Sequence, residues 1–194
     1  MHTEIDRRRL LTGAAALLGG VAVGSGLLEG EASAAIPTVG SLAVPRLWGY
    51  KNVKVPDPNK RGKFIYVKQA VTKNMYEGTA VPVLNTGGLC HWEGTPNPGQ
   101  KGNSVLFGHR TAHGGPLNKI HTMKRGDQFN VVFKGQPFVY TVTEEGTVIT
   151  SKDFAKLLNW GNPNQKGLTF VACTKQNKLP TDTRWRLIVR AVAA

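Results

Sequence analysis

Two residues in this chain carry a thiol suited to nucleophilic chemistry, Cys90 and Cys173. Cys173 closes the run Leu168-Thr169-Phe170-Val171-Ala172-Cys173. Alternation along a strand sends Leu168, Phe170 and Ala172 to one face and Thr169, Val171 and Cys173 to the other. A side chain at the end of a strand is held rigidly yet stays accessible from the following loop, here Thr174–Thr183, and that suits a catalytic group. A free thiol ionises near pH 8.5, and nearby positive charge lowers that value. The sequence offers two sources of such charge. His109 ends Leu106-Phe107-Gly108-His109, where another apolar strand meets a loop, and Arg186 lies on the last apolar strand. In that strand Trp185, Leu187, Val189 and Ala191 form the apolar face, and Arg184, Arg186 and Arg190 point the other way. Thiol, imidazole and guanidinium together make a nucleophile, an acid–base group and an anion stabiliser. The structural alternatives are an Arg series on a solvated exterior and a Cys90–Cys173 disulfide, which would silence the thiol.

Other pairings are weaker. His109 and His113 are four apart, a metal-binding spacing on a helix, but Gly108 and Gly114-Gly115-Pro116 flank the pair and no third ligand is evident. His113 reads as an exposed loop residue or as part of a substrate groove. Cys90-His91 lies between Leu89 and Trp92 and reads as packing. Asp127 after Gly126 shapes a turn. No acidic cluster suggests calcium. The expectation is an enzyme that needs no metal or cofactor.

The elements that must carry these groups are short. Apolar runs at Phe64–Val67, Val81–Leu84, Ser104–Phe107, Leu168–Cys173 and Trp185–Val192 read as strands. Phe129, Val131 and Phe133 alternate with polar positions, as do Phe138, Tyr140 and Val142, and Lys134-Gly135-Gln136-Pro137 between them reads as a hairpin turn. Pro116–Met123 and Lys152–Leu158 are candidate helices, the second with Phe154, Leu157 and Leu158 on one face. Many short strands and few helices predict an all-β fold, a closed antiparallel barrel.

Ahead of these elements, Arg7-Arg8-Arg9 precedes an uncharged run from Leu10 to Leu28, then Glu29, Glu31 and Ala32-Ser33-Ala34. That order describes an export leader over 1–34. Two readings stay open: a retained anchor helix, since 19 uncharged residues can just span a bilayer, and a cleaved signal with twin-arginine character. Both put the domain outside the membrane. Residues 35–61, rich in Pro, Gly and basic residues, read as a linker or stalk, leaving 62–194 as the domain. The whole chain of 194 residues carries a net charge of +13. Beyond residue 34 there are 22 basic against 8 acidic residues, a net of +14, so the charge belongs to the domain. Such a domain is drawn to polyanions. No zinc finger, basic zipper or RNA-binding signature is visible, so an anionic envelope is the expected partner and nucleic acid is not.

These residues resemble the sortase family. Thr169-Phe170-Val171-Ala172-Cys173 is similar to the family's strand ending Thr-Leu-x-Thr-Cys, Gly108-His109 matches its Gly-His, and Arg186 in Arg186-Leu187-Ile188-Val189 is the best match for its Arg, with Arg184 as the fallback. The stretch from Gly99 to Thr111, Gly114-Gly115-Pro116-Leu117 and Gly126-Asp127 look most like the class E sortases of actinobacteria. Two positions depart from the pattern: Phe170 replaces Leu, and Ala172 replaces the Thr next to the nucleophile. The resemblance implies a sortase-type barrel of about eight strands with one or two short helices. It also implies a transpeptidase that cleaves an LPxTG- or LAxTG-like sorting signal between Thr and Gly and passes the acyl group to an amine of lipid II or a pilin Lys. Its catalytic residues would be Cys173, His109 and Arg186, with Thr169, Ala172, Arg184 and His113 contacting the substrate. Its partners would be surface proteins bearing the sorting signal, at the outer side of the cytoplasmic membrane. The alternative from another class is a non-catalytic envelope-binding barrel bridged by Cys90–Cys173. A third reading is a peptidase that releases the acyl group to water.

Overall fold

The computed structural model describes residues 35–158, 161–175 and 184–194. The expected leader and most of the expected loop at Thr174–Thr183 lie outside them. In chain order the strands begin with β1 (Thr38–Ala43), β2 (Tyr50–Pro56), β3 (Phe64–Ala70), β4 (Thr72–Glu77) and β5 (Leu89–His91). They continue with β6 (Gly102–Phe107), β7 (Gln128–Phe133), β8 (Gln136–Thr150), β9 (Lys166–Thr174) and β10 (Trp185–Ala193). Three one-turn helices intervene: α1 (Pro45–Trp48), α2 (Val81–Leu84) and α3 (Ala155–Leu158).

Eight strands close in the order β1-β4-β5-β6-β9-β10-β8-β7, and β1 pairs with β7 to seal the ring. The alternation read in the sequence sorts side chains as expected. Phe129, Val131 and Phe133 enter the interior, as do Tyr140, Val142, Leu168, Phe170, Leu187, Val189 and Ala191. Phe129 and Tyr140 are direct partners across β7 and β8, with their rings stacked at 5.6 Å. The Tyr140 hydroxyl, fully buried, accepts a hydrogen bond from the Gly99 amide at 2.7 Å. The β7–β8 turn needs two residues of positive φ, and Lys134 (46°) and Gly135 (80°) supply them, as a two-residue hairpin of right-twisted strands demands.

Four expectations are corrected. The barrel is mixed rather than antiparallel, because β4–β5 and β6–β9 run parallel. Residues 35–61 are not all linker: β1 is a barrel strand paired on both sides, with Leu42 buried. Its short apolar pattern is too slight to be told from a stalk. Val81–Leu84 is a helical turn, α2, started by Pro82 near its N-terminus. The helix expected at Pro116–Met123 shrinks to turns and a 3-10 segment over Ile120–Thr122.

A second, smaller apolar cluster lies outside the ring, where Val105, Val171 and Ile188 of adjacent strands meet Leu157 of α3. Asn103 anchors this layer. Its amide donates to the Leu157 carbonyl, and its oxygen accepts from the Thr169 hydroxyl at 2.9 Å, all buried. The outer face of β9 is thus covered along its first half and opens only toward Cys173.

Candidate active site

Cys173 and Arg186 face each other directly across β9 and β10. Opposed residues in an antiparallel pair hold their Cβ atoms about 5 Å apart, so the guanidinium stem begins beside the sulfur. On the other flank of β9, Phe107 of β6 is registered with Val171, and the Gly108 amide donates to the Val171 carbonyl at 3.2 Å. Carrying that parallel register two residues further brings His109 alongside Cys173 on the same face. Three adjacent strands therefore deliver the three groups to one place. All three line a cleft of about 360 Å³ with Leu84, Trp92 and Phe107. Gly108 permits the approach: a Cβ there would lie 2.7 Å from Leu89 Cδ2 and 3.0 Å from Leu117 Cγ, both buried side chains.

The electrostatics of the cleft are set by burial and by basic neighbours. His109 Nε2 is 3.1 Å from Asn85 Oδ1, a bond that holds the ring. Its pKa is lowered from the ordinary His value, first by partial desolvation and then by repulsion from His113, whose ring lies 5.1 Å away. Arg110 is 4% exposed and reaches under the site. It donates to Thr174 Oγ1 at 3.1 Å and meets His121 Nδ1 at 3.0 Å. Burial lowers its pKa, and the nearby Cys173 side chain acts in the opposite direction. Arg186 Nη1 donates to the Trp185 carbonyl at 3.0 Å.

Both cysteines are free thiols, so the Cys90–Cys173 bridge is corrected. Cys90 sits on β5, fully buried, with its thiol donating to the Val83 carbonyl at 3.3 Å. Burial pushes its pKa up to about 11, which makes it inert. His91 is buried too, held by Glu77 at 2.8 Å and by the Pro96 carbonyl at 3.1 Å. Of the residues expected at the substrate, Ala172 lines the cleft. Thr169 does not, because it is fully buried beneath α3 with its hydroxyl committed to Asn103. Arg184 is exposed and outside the cleft lining. His113 lies beside His109 rather than in the cleft wall. Among the described residues, no third His, Cys, Asp or Glu joins His109 and His113 to make a metal site. Asn85 and Arg110 were missed by the sequence reading. The adjacency of Arg110 to His109 was a usable signal for one, and nothing in the sequence links Asn85 to His109.

The sortase-domain profile matches residues 64–194. The chain belongs to the sortase family. Sortases are cysteine transpeptidases that work outside the cytoplasm in association with the membrane, and this chain has their barrel. Similar solved structures include the SrtA sortase from Actinomyces oris, 22% identical over 81% of this chain and 80% of that one, with a TM-score of 0.63. Sortase E from Streptomyces avermitilis is 22% identical over 81% of this chain and 88% of that one, at 0.60. Sortase C from Clostridium perfringens, solved with the C-terminal cell wall sorting motif, is 20% identical over 82% and 71%, also at 0.60. No match is found among curated protein sequences.

Proposed function

We propose that Cys173, His109 and Arg186 are the catalytic set of a transpeptidase acting on an LPxTG- or LAxTG-like sorting signal. The observation that carries this reading is the pairing of Cys173 with Arg186 across β9 and β10, with His109 on the third side of the same cleft. The Cys173 sulfur attacks the Thr carbonyl carbon, and Arg186 donates to the oxygen as it gains negative charge. His109 as imidazolium protonates the Gly nitrogen, the C–N bond breaks, and a thioester remains on Cys173. An incoming amine then attacks the thioester carbon and gives its extra proton to His109. The C–S bond breaks, restoring the sulfur. Burial and, after it, the neighbouring His113 disfavour a charged His109, which works against the imidazolium that the first step needs.

The cleft wall of Leu84, Trp92, Phe107 and Val171 suits the leading Leu of such a signal. The acceptor is an amine of lipid II or a pilin Lys, presented at the outer face of the membrane.

The test is incubation of the chain with LPxTG and LAxTG peptides and an amine acceptor. A covalent adduct on Cys173 and a ligated product are expected. An adduct that only water releases would make the protein a peptidase, and no adduct from either peptide would remove the reading. Arg186→Met should reduce kcat about 100- to 1,000-fold, as loss of an oxyanion donor does.

A further inference from the structure

The β2–β3 hairpin stands outside the barrel as a two-stranded sheet of its own, with Tyr50 paired to Ala70 at its base and Pro56 to Phe64 at its tip. Seven paired positions make it roughly 23 Å long. Every β3 residue except Ala70 is exposed. Of the seven large hydrophobic side chains exposed in the described chain, five belong to this hairpin: Tyr50, Phe64, Ile65, Tyr66 and Val67. Tyr66 is 72% exposed. A two-stranded ribbon with both faces in water is marginal, and side chains of this kind gain free energy only by leaving water.

The charge on the hairpin is as one-sided as its apolar surface. Residues 50–70 hold Lys51, Lys54, Lys60, Arg61, Lys63 and Lys68 against Asp57 alone. Among the described residues none of these six cations is in a salt bridge. Lys54 lies over the Phe64 ring at 4.6 Å. The tip is turned tightly, with the Asp57 amide donating to the Lys63 carbonyl at 2.9 Å and Asp57 Oδ1 accepting from the Asn59 amide at 2.8 Å. Lys60, Arg61 and Lys63 therefore sit together on a fixed loop, with Phe64 and Tyr66 just behind them.

Lying flat on a bilayer, the ribbon sets its cations among the anionic headgroups and turns Phe64 and Tyr66, which share one of its faces, toward the apolar boundary. A soluble polyanion would satisfy the cations and leave the aromatic and aliphatic groups in water. Single-stranded nucleic acid would use both, but sortases work outside the cytoplasm. We propose that the β2–β3 hairpin docks the domain on an anionic phospholipid bilayer, with Lys60, Arg61 and Lys63 among the headgroups and Phe64 and Tyr66 at the interface. This rests on the family's extracytoplasmic location and not on the roles of Cys173, His109 and Arg186.

The test uses the full chain with Cys173→Ala and Tyr66→Cys, labelled at position 66 with an environment-sensitive fluorophore, on phosphatidylglycerol-containing and on pure phosphatidylcholine vesicles. On the anionic vesicles the emission should move to shorter wavelength and a soluble quencher should lose access several-fold. Lys60→Gln, Arg61→Gln and Lys63→Gln together should weaken hairpin docking about 100-fold, at roughly fivefold per cation. That should abolish the change even where the leader holds the chain on the vesicle. A label placed by Val139→Cys, on an exposed position of β8 outside the hairpin, should not respond. Identical signals on both vesicle types, an equal response at position 139, or the same shift from polyphosphate or an oligonucleotide without vesicles would each overturn the proposal. Peptide cleavage by the unlabelled Lys60→Gln, Arg61→Gln, Lys63→Gln chain in detergent should be unchanged, which separates this result from any failure of the catalytic reading.

Discussion

Replacing Arg110 tests whether the proposed catalytic cleft depends on a buried strut. The guanidinium follows His109 in the chain, bonds Thr174, the residue after Cys173, and meets His121 in the 3-10 turn. It thus joins the loop carrying the imidazole to the strand end carrying the sulfur. Arg110→Met keeps much of the volume and removes both bonds. Each bond from a charged donor contributes about 1.5–3 kcal/mol. Removing a buried charge offsets part of that, so a net loss of about 2–4 kcal/mol is expected. For a domain of this size that lowers Tm by about 5–15 °C. Misplacing either reacting group by about 1 Å should cost about 100-fold in kcat/KM. Arg110→Lys restores the charge but not a two-pronged bridge, so stability should recover more than rate. The assays are thermal unfolding and peptide cleavage measured below the lowered Tm. A Met variant that is destabilised yet cleaves peptide within about twofold of the parent would refute a positioning role.

Three further outcomes follow from the site. Alkylation of the native chain near neutral pH should modify Cys173 and spare Cys90, which burial holds near pKa 11; mass mapping of the labelled peptides checks this. His113→Asn removes the repulsion that helps to lower the His109 pKa, and Asn tolerates the positive φ of 48° at that position. His109 then holds its proton to higher pH. The acid limb of the kcat/KM profile, where sulfur and imidazole are both protonated, should therefore move to higher pH. An unmoved limb would mean that His109 does not set it. Gly108→Ala forces a methyl against Leu89 and Leu117 and should cost about 1–3 kcal/mol by overpacking, with a larger loss of cleavage than of stability-matched activity elsewhere, measured by denaturant unfolding and peptide turnover.

Much of the barrel could be read from alternation, because a strand with one face in a core repeats every two residues. Leu168, Phe170 and Ala172 on β9, and Leu187, Val189 and Ala191 on β10, enter the interior as their spacing demands. The Lys134-Gly135 turn was legible because Gly135 takes a positive φ freely and two alternating runs flank it. Short elements were not. β1 has six residues with a single fully buried one and looks like a stalk until β4 and β7 pair with it. Val81–Leu84 has the composition of a strand, but four residues carry no period that separates strand from helical turn.

The residue types of the site were set by the sequence alone: a thiol at one strand end, an imidazole at another, and an Arg on the polar face of the last strand. Their meeting was not. The parallel pairing of β6 with β9 and the antiparallel pairing of β9 with β10 join positions far apart in the chain, and no local pattern encodes a non-local register. The same holds for Thr169, whose parity matches that of Cys173. Only the packing of α3 over Asn103 determines that the first is buried and the second opens to the cleft.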